Sequence, residues 1–231
     1  MIGRLKFSQI QKFKINEDKT QTVIFNTATS KDFYPRITNE DGELYTNEEN
    51  FKLLGINLAS DKRKGVNFDL YINKCIQIAY SKLWILRRLV EIGTSIEKLV
   101  MTYNLRVRIF VEQNVPLWMY SISKGLKTKI ENLQKISVFI ILGKFAHTDY
   151  LCNLAILDME PLEERRQKIA QKFAIKILKH PEHRKIFEYK ECNSTRSGKK
   201  VIVPKFKTAR YGNSTVPSLA RLVNQKLAHK I

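Results

Sequence analysis

Three residues near the C-terminal end have the types that hold zinc: His180 and His183, separated by Pro181 and Glu182, and then Cys192. A structural zinc site asks for four closely spaced nitrogen, sulfur or oxygen ligands in a tetrahedron. Three loosely spaced ones with a proline between the histidines fit a helix-end histidine better. Cys152, followed by Asn153 and Leu154, has no flanking cation to make its thiol reactive, and it reads as a core residue in an apolar helix. Phosphoryl transfer through two metal ions would need carboxylates converging on the cations. Asp18, Asp32, Asp41, Asp61 and Asp69 instead stand singly, in predicted turns, loops or a helix start, and no two aspartates are adjacent. A glycine-rich phosphate loop, an HExxH helix and a GxSxG elbow are all missing from the sequence.

The chemistry that remains is charge. Forty-one lysines and arginines oppose 22 acids among 231 residues, a formal net charge of +19. That excess points to a polyanion, because neutralising phosphates releases condensed counterions and supplies affinity independent of base sequence. At 43% hydrophobic content the chain can bury a core. It has no apolar run long enough to span a bilayer, and its first residues have neither the apolar centre nor the cleavage site of a signal peptide. Nucleic acid is therefore the expected partner, with no membrane and no small-molecule substrate. Three distant cysteines suit a reducing, intracellular compartment, nucleus and cytoplasm being left open.

Positioning those cations requires two kinds of element. Residues 1–66 have the two-residue period and turn chemistry of a small antiparallel sheet. Thr22-Val23-Ile24-Phe25 is β-branched and aromatic, and Phe33 to Ile37 is extended around Pro35. Glu40-Asp41-Gly42-Glu43 supplies a turn, with Glu43 to Tyr45 pairing back. Phe51-Lys52-Leu53-Leu54-Gly55-Ile56-Asn57-Leu58 follows as another strand, with glycine allowing close approach, and Asp61 to Gly65 reads as a charged loop.

From Phe68 the apolar period lengthens to that of helices, and residues 67–187 read as a bundle. One long helix places Leu70, Ile72, Ile76, Ala79, Leu83, Leu86 and Val90 on its buried stripe, ends at Gly93, and carries Lys82, Arg87 and Arg88 mostly off that stripe. A capping box, Thr94-Ser95-Ile96-Glu97, starts a second helix, with Ile96, Val100, Tyr103, Val107 and Val111 inward and Arg106 and Arg108 decorating it. Pro116 kinks or ends it, and Leu117-Trp118-Met119-Tyr120 reads as core. A third helix buries Ile130, Leu133, Ser137 and Ile141 and closes at Gly143. Thr148 caps a short fourth, and Pro161 opens a fifth, Leu162 to His180, with Ile169, Phe173 and Ile177 inward. Residues 188–231 form a basic arm carrying Arg196, Lys199, Lys200, Lys205 and Lys207, either a nuclear localisation signal or a solvated linker, with a last short helix over Pro217 to Val223.

The order of these segments resembles a known family. Lys14-Ile15-Asn16-Glu17-Asp18-Lys19-Thr20 with Val23-Ile24-Phe25, followed by Phe51-Lys52-Leu53-Leu54-Gly55, is similar to the end of the palm in reverse transcriptases of non-LTR retrotransposons. Ala79 to Leu89 looks like the first thumb helix of the jockey-like kind. Tyr103 to Arg108, Val115-Pro116-Leu117-Trp118, Ile140 to Gly143 and Pro161-Leu162-Glu163-Glu164-Arg165-Arg166 extend the likeness over nearly the whole chain. The resemblance implies an α+β chain: the end of a polymerase palm, a helical thumb-like bundle and a basic C-terminal arm.

It also implies roles. Lys19 would lie near the phosphates of an incoming nucleotide, a solvated turn lysine being the other reading. Leu53, Leu54 and Gly55 match a primer-grip hairpin, and the helix bearing Lys82, Arg87 and Arg88 matches the surface that follows the template-primer. RNA–DNA or A-form duplex is the implied ligand. Magnesium is implied for full-length members of the family, whose catalytic aspartates stand upstream of Asn16, as an adjacent pair among others. This chain is expected to bind template-primer without catalysing RNA-directed DNA synthesis. The reading from composition alone, a basic helical RNA-binding or interaction protein, stands beside it.

Overall fold

The computed structural model describes residues 23, 38, 50–61, 65–183, 189–190, 200–207 and 209–228. The expected strand Thr22 to Phe25 apart from Val23, the Phe33 to Tyr45 segments apart from Thr38, Lys19, Cys192, Arg196 and Lys199 lie outside them. The chain has α+β architecture, mostly helical with one small three-stranded antiparallel sheet. It divides into two compact units, residues 1–70 and 71–231.

In the first unit, β1 (Asn50–Leu53), β2 (Ile56–Asp61) and β3 (Gly65–Asn67) run in sequence order. Phe51 stands opposite Leu58 and Leu53 opposite Ile56, so the stretch, one strand by its residue pattern and a hairpin by the resemblance, is a hairpin with a two-residue turn. Leu54 and Gly55 form that turn at φ 49° and 85°. Two left-handed residues give the turn a twist that matches the strands it joins, which is why Gly55 stands there. β2 continues into β3 through the Asp61↔Gly65 pairing. The Asn67 side chain then accepts from the Asp69 amide at 2.8 Å where α1 (Asp69–Ser81) begins.

The second unit is a helical body. The long helix expected from Phe68 to Gly93 is two: α1 stops at Ser81, and α2 (Leu83–Glu91) restarts beyond Lys82. Ile72, Ile76, Ala79, Leu83 and Leu86 are buried as expected, whereas Leu70 and Val90 at the ends are exposed. α3 (Ile96–Tyr103) runs through a π-helical turn, Asn104–Arg108, into α4 (Ile109–Glu112). Its N-cap is Ser95, one residue beyond the start of the expected box, and Ile96 is exposed while Leu99 takes its place inside. The buried row is Leu99, Tyr103, Val107 and Val111, a strict four-residue repeat. An α-helix turns about 100° per residue, so such a row drifts by ~40° each step. The wider π turn takes the drift back and keeps the row facing one core.

Asn114, left-handed at φ 55°, ends that helix ahead of α5 (Val115–Trp118), in whose first turn Pro116 sits. Trp118 and Met119 are buried, and the Trp118 indole donates to the Gln113 carbonyl at 2.7 Å; Leu117 faces outward. α6 (Lys124–Leu142) is capped by the Ser123 hydroxyl and stops at Gly143, φ 53°. It buries the expected Ile130, Leu133, Ser137 and Ile141, and Gln134 with them. α7 (Tyr150–Ile156) is capped by Asp149, not Thr148. The Asp149 carboxylate accepts from the Leu151 and Cys152 amides, and Cys152 is exposed on that first turn, not in the core.

α8 (Leu162–Lys179) begins after Pro161, which stands at the N-cap. The expected inward residues are displaced here too. Phe173 is 38% exposed, and the buried row is Leu162, Arg166, Ala170 and Ala174. Small alanines let neighbouring helices come close, and α8 packs against α5, α6 and the last helix. β4 (Tyr189–Lys190) pairs with β5 (Lys200–Val201). After α9 (Ala209–Gly212), α10 (Thr215–Ala228) is longer than the expected Pro217 to Val223 and buries Leu219, Ala220 and Val223. Asn224 substitutes for a strand partner: its side chain accepts from the Val201 N–H at 2.9 Å and donates to the Val201 carbonyl at 2.8 Å.

Candidate nucleic-acid interface

The hairpin brings Leu53, Leu54 and Gly55 to one tip. Leu54 is 95% exposed, and nothing lies within 4 Å of where a Cβ on Gly55 would point. A leucine in left-handed backbone costs about 1–2 kcal/mol relative to its ordinary conformation. A turn of this kind is usually made by Asn-Gly. The fold thus holds an apolar side chain in solvent, in a backbone conformation that disfavours it.

The cations divide by what their helices do with them. Lys82 sits half-buried at the break between α1 and α2. Arg87 and Arg88 are exposed on α2, and Arg88 is held by Glu91 one turn on, Nη1 to Oε2 at 2.7 Å. Arg106 is exposed on the π turn. Arg108, two residues later on the same turn, points the other way. Its side chain is largely buried, with Nε 3.4 Å from Glu112 Oε1 and its guanidinium over the Tyr103 ring at 6.0 Å. Burial draws its pKa below the usual range, against the pull of Glu112. Lys19 lies outside the described residues; Leu53, Leu54 and Gly55 belong to the first compact unit, and the helical cations belong to the second.

Sequence reasoning missed the ion network inside the helical body. Arg165 donates to Glu112 and lies 3.6 Å from Glu160, which also holds Lys168. Deeper, Arg166 is 3% exposed, with Nη2 4.0 Å from Glu131 Oε2. Glu131 and Gln134 each accept from the Tyr150 hydroxyl and from the Leu162 amide, which places a carboxylate at the N-terminus of α8, where the helix dipole favours it. Among the described residues, four atoms of this network have no hydrogen-bond partner: the Tyr103 hydroxyl, Arg108 Nε, Glu131 Oε2 and Arg166 Nη1. Burial pushes the Tyr103 and Tyr150 phenols far above their ordinary range, and neighbouring Glu131 adds to the shift at both. The signal was present in the sequence, since Arg166 lies four residues from both Leu162 and Ala170 and so shares their row.

Among the described residues no group of three or more His, Cys, Asp or Glu is arranged to hold a metal ion. The His180 and His183 rings lie 4.7 Å apart, tilted by 35°. The magnesium that the resemblance implies for full-length members finds no fitting donor set among these residues. Among the same residues no helix is long and apolar enough to cross a membrane. Comparison with family models, with curated proteins and with solved structures gives no match.

Proposed function

We propose that this chain is the palm end and thumb of a reverse transcriptase of the non-LTR, jockey-like kind, and that it binds template-primer duplex. The observation that carries the reading is the hairpin Asn50–Asp61, with its exposed left-handed Leu54-Gly55 tip at the position the resemblance assigns to a primer grip. Exposed Arg87, Arg88 and Arg106 supply phosphate contacts, and half-buried Lys82 stands at the start of the same helix as the first two. Its part is to hold and orient a duplex, not to catalyse. Fluorescence anisotropy tests it with an RNA–DNA hybrid and a B-form DNA of equal length at about 150 mM salt. The wide, shallow minor groove of the hybrid should give at least tenfold tighter binding. Equal affinity for both would leave net charge as the only explanation and overturn the reading.

A second reading, a basic helical protein that docks on another protein, is favoured by one feature. Met101, Leu105 and Ile109 form an exposed apolar row on the side of α3–α4 away from its buried row. Substituting these three by serine would abolish that docking while leaving hybrid binding intact.

A further inference from the structure

In the helical unit, a cleft of about 580 Å³ opens between the chain after α5, the start of α6, the first turns of α8, and α10. That volume lies in the range of small-ligand sites. Met119 and Leu222 give it an apolar part, and the rest of its lining is polar.

Its arginine is set in place before any ligand arrives. Arg221 Nη2 donates to the Gly212 carbonyl, and the guanidinium lies over the Phe206 ring, 5.8 Å from its centroid. The arrangement depends on glycine, since a Cβ at residue 212 would fall 2.6 Å from a Phe206 ring carbon. One guanidinium nitrogen and one face are thereby fixed, and the remaining donors are left for another acceptor. Lys127 lies on the same cleft as a second cation. Beside them, the Tyr120 hydroxyl is buried without a hydrogen-bond partner among the described residues. An orphaned buried hydroxyl lowers the stability of the fold and calls for an explanation.

We propose that this cleft binds a nucleoside monophosphate unit, with the phosphate on Arg221 and Lys127 and the base against carboxamides. The carboxamides are Gln167 on α8, Asn213 before α10 and Gln225 on α10. Each offers both a donor and an acceptor, the combination that pairs with the edge of a base. Glu163, four residues before Gln167 on α8, supplies the one carboxylate, suited to ribose hydroxyls or an exocyclic amine. A bare inorganic anion would use the two cations and leave the amides idle beside an opposing carboxylate. The nucleotide can be free or can be one unit of an unpaired strand, as both carry this chemistry. The site goes beyond duplex binding, and it uses none of the residues assigned to that role.

Isothermal titration of the full chain with AMP, CMP, GMP and UMP, with the matching nucleosides, and with a five-residue single-stranded RNA tests it. At least one monophosphate should bind saturably below ~1 mM, and its nucleoside at least tenfold more weakly. Tyr120→Phe should weaken binding severalfold while the unliganded protein melts at the same or a higher temperature. Lys127→Gln should do likewise without changing the melting temperature, and Arg221→Gln should abolish binding. The RNA binding tenfold tighter than its monophosphates, with the same variant losses, identifies the ligand as a strand, and equal affinity identifies the free nucleotide. Nucleosides binding as well as monophosphates, an absence of saturable binding, or binding that Tyr120→Phe and Lys127→Gln both leave unchanged would overturn the site. Arg87→Ala with Arg88→Ala should leave mononucleotide binding intact, so failure here and failure of duplex binding are read separately.

Discussion

Arg165 donates to Glu112 across 53 residues of sequence, tying the first turn of α8 to the last turn of α4. Glu112 also faces Arg108, so one carboxylate serves two guanidinium groups in a poorly solvated place. Removing one partner from such a group strands a buried charge, which costs about 3–5 kcal/mol. Glu112→Gln should therefore lower the unfolding free energy by roughly 3 kcal/mol, read by urea denaturation. The double change Glu112→Met with Arg108→Met should recover most of it, since Arg165 keeps Glu160. A single variant within 0.5 kcal/mol of the parent, taking ~0.5 as the usual scatter of surface changes, would remove the network from the account of stability.

Tyr103 is buried and Tyr150 half-buried, and the two should respond differently to loss of the hydroxyl. Tyr150 donates to Glu131 and Gln134, so Tyr150→Phe should cost about 1–3 kcal/mol. The Tyr103 hydroxyl has no partner among the described residues, so Tyr103→Phe should be neutral or stabilising. Equal losses for the two would show that Tyr103 has a partner after all, such as an internal water.

The same phenols set the alkaline limit. Burial raises Tyr103, Tyr150 and Tyr120 above the ordinary value of 10.0, Tyr120 up to about 12. Above that ordinary value the unfolded chain loses these protons while the folded one keeps them, so the unfolded state is favoured as pH rises. Stability should hold up to about pH 10 and decline beyond it. Urea midpoints between about pH 8 and 11.5 measure this. Tyr103→Phe should flatten the decline, and an unchanged slope would take Tyr103 out of it.

How far the sequence carries depends on what buries each residue. Ile130, Leu133, Ser137 and Ile141 were legible because one helix, one period and one glycine stop agreed. The α8 face was not, because the reading gave weight to bulk: Phe173 is large and exposed, while Ala170 and Ala174 are small and buried. Which side chain fills a helix–helix contact depends on how near the other helix comes, and that distance is not written in the segment itself. Arg106 and Arg108 failed to separate for a related reason. Both are basic and two residues apart, and only the width of the π turn and the position of Glu112 decide which one faces water. Of the candidate site, the residue pattern alone reads Phe51 to Leu58 as a single strand, because leucine is an unusual first residue for a left-handed pair, whereas the resemblance puts Leu53, Leu54 and Gly55 on a hairpin, which is the form they take.

Leu54 offers a test in which stability and binding separate. Asparagine tolerates left-handed backbone, so Leu54→Asn should stabilise the hairpin by up to ~1 kcal/mol, seen as slower amide exchange across the Phe51–Leu58 pairing. If the tip meets a primer strand, the same change should weaken hybrid binding about tenfold, the scale of one lost leucine contact. A more stable hairpin with undiminished binding would show that the leucine has no part in holding the duplex.

Arg88 is the cation whose availability is set by a neighbour, and it gives the sharpest electrostatic test. Glu91 occupies it from one turn away, both side chains being well exposed, so the pair adds little to stability. If Arg88 meets phosphate, Glu91→Ala should tighten hybrid binding and steepen the dependence of log K on log salt by up to about one unit, the value of one phosphate contact. Arg87→Ala should shift the slope by about the same amount in the opposite direction. Arg108→Ala should instead leave the slope unchanged and lower stability, because that side chain is engaged with Glu112 inside the helical body. A slope that responds to Arg108→Ala but not to Arg87→Ala or Glu91→Ala would move the binding face off α2 altogether.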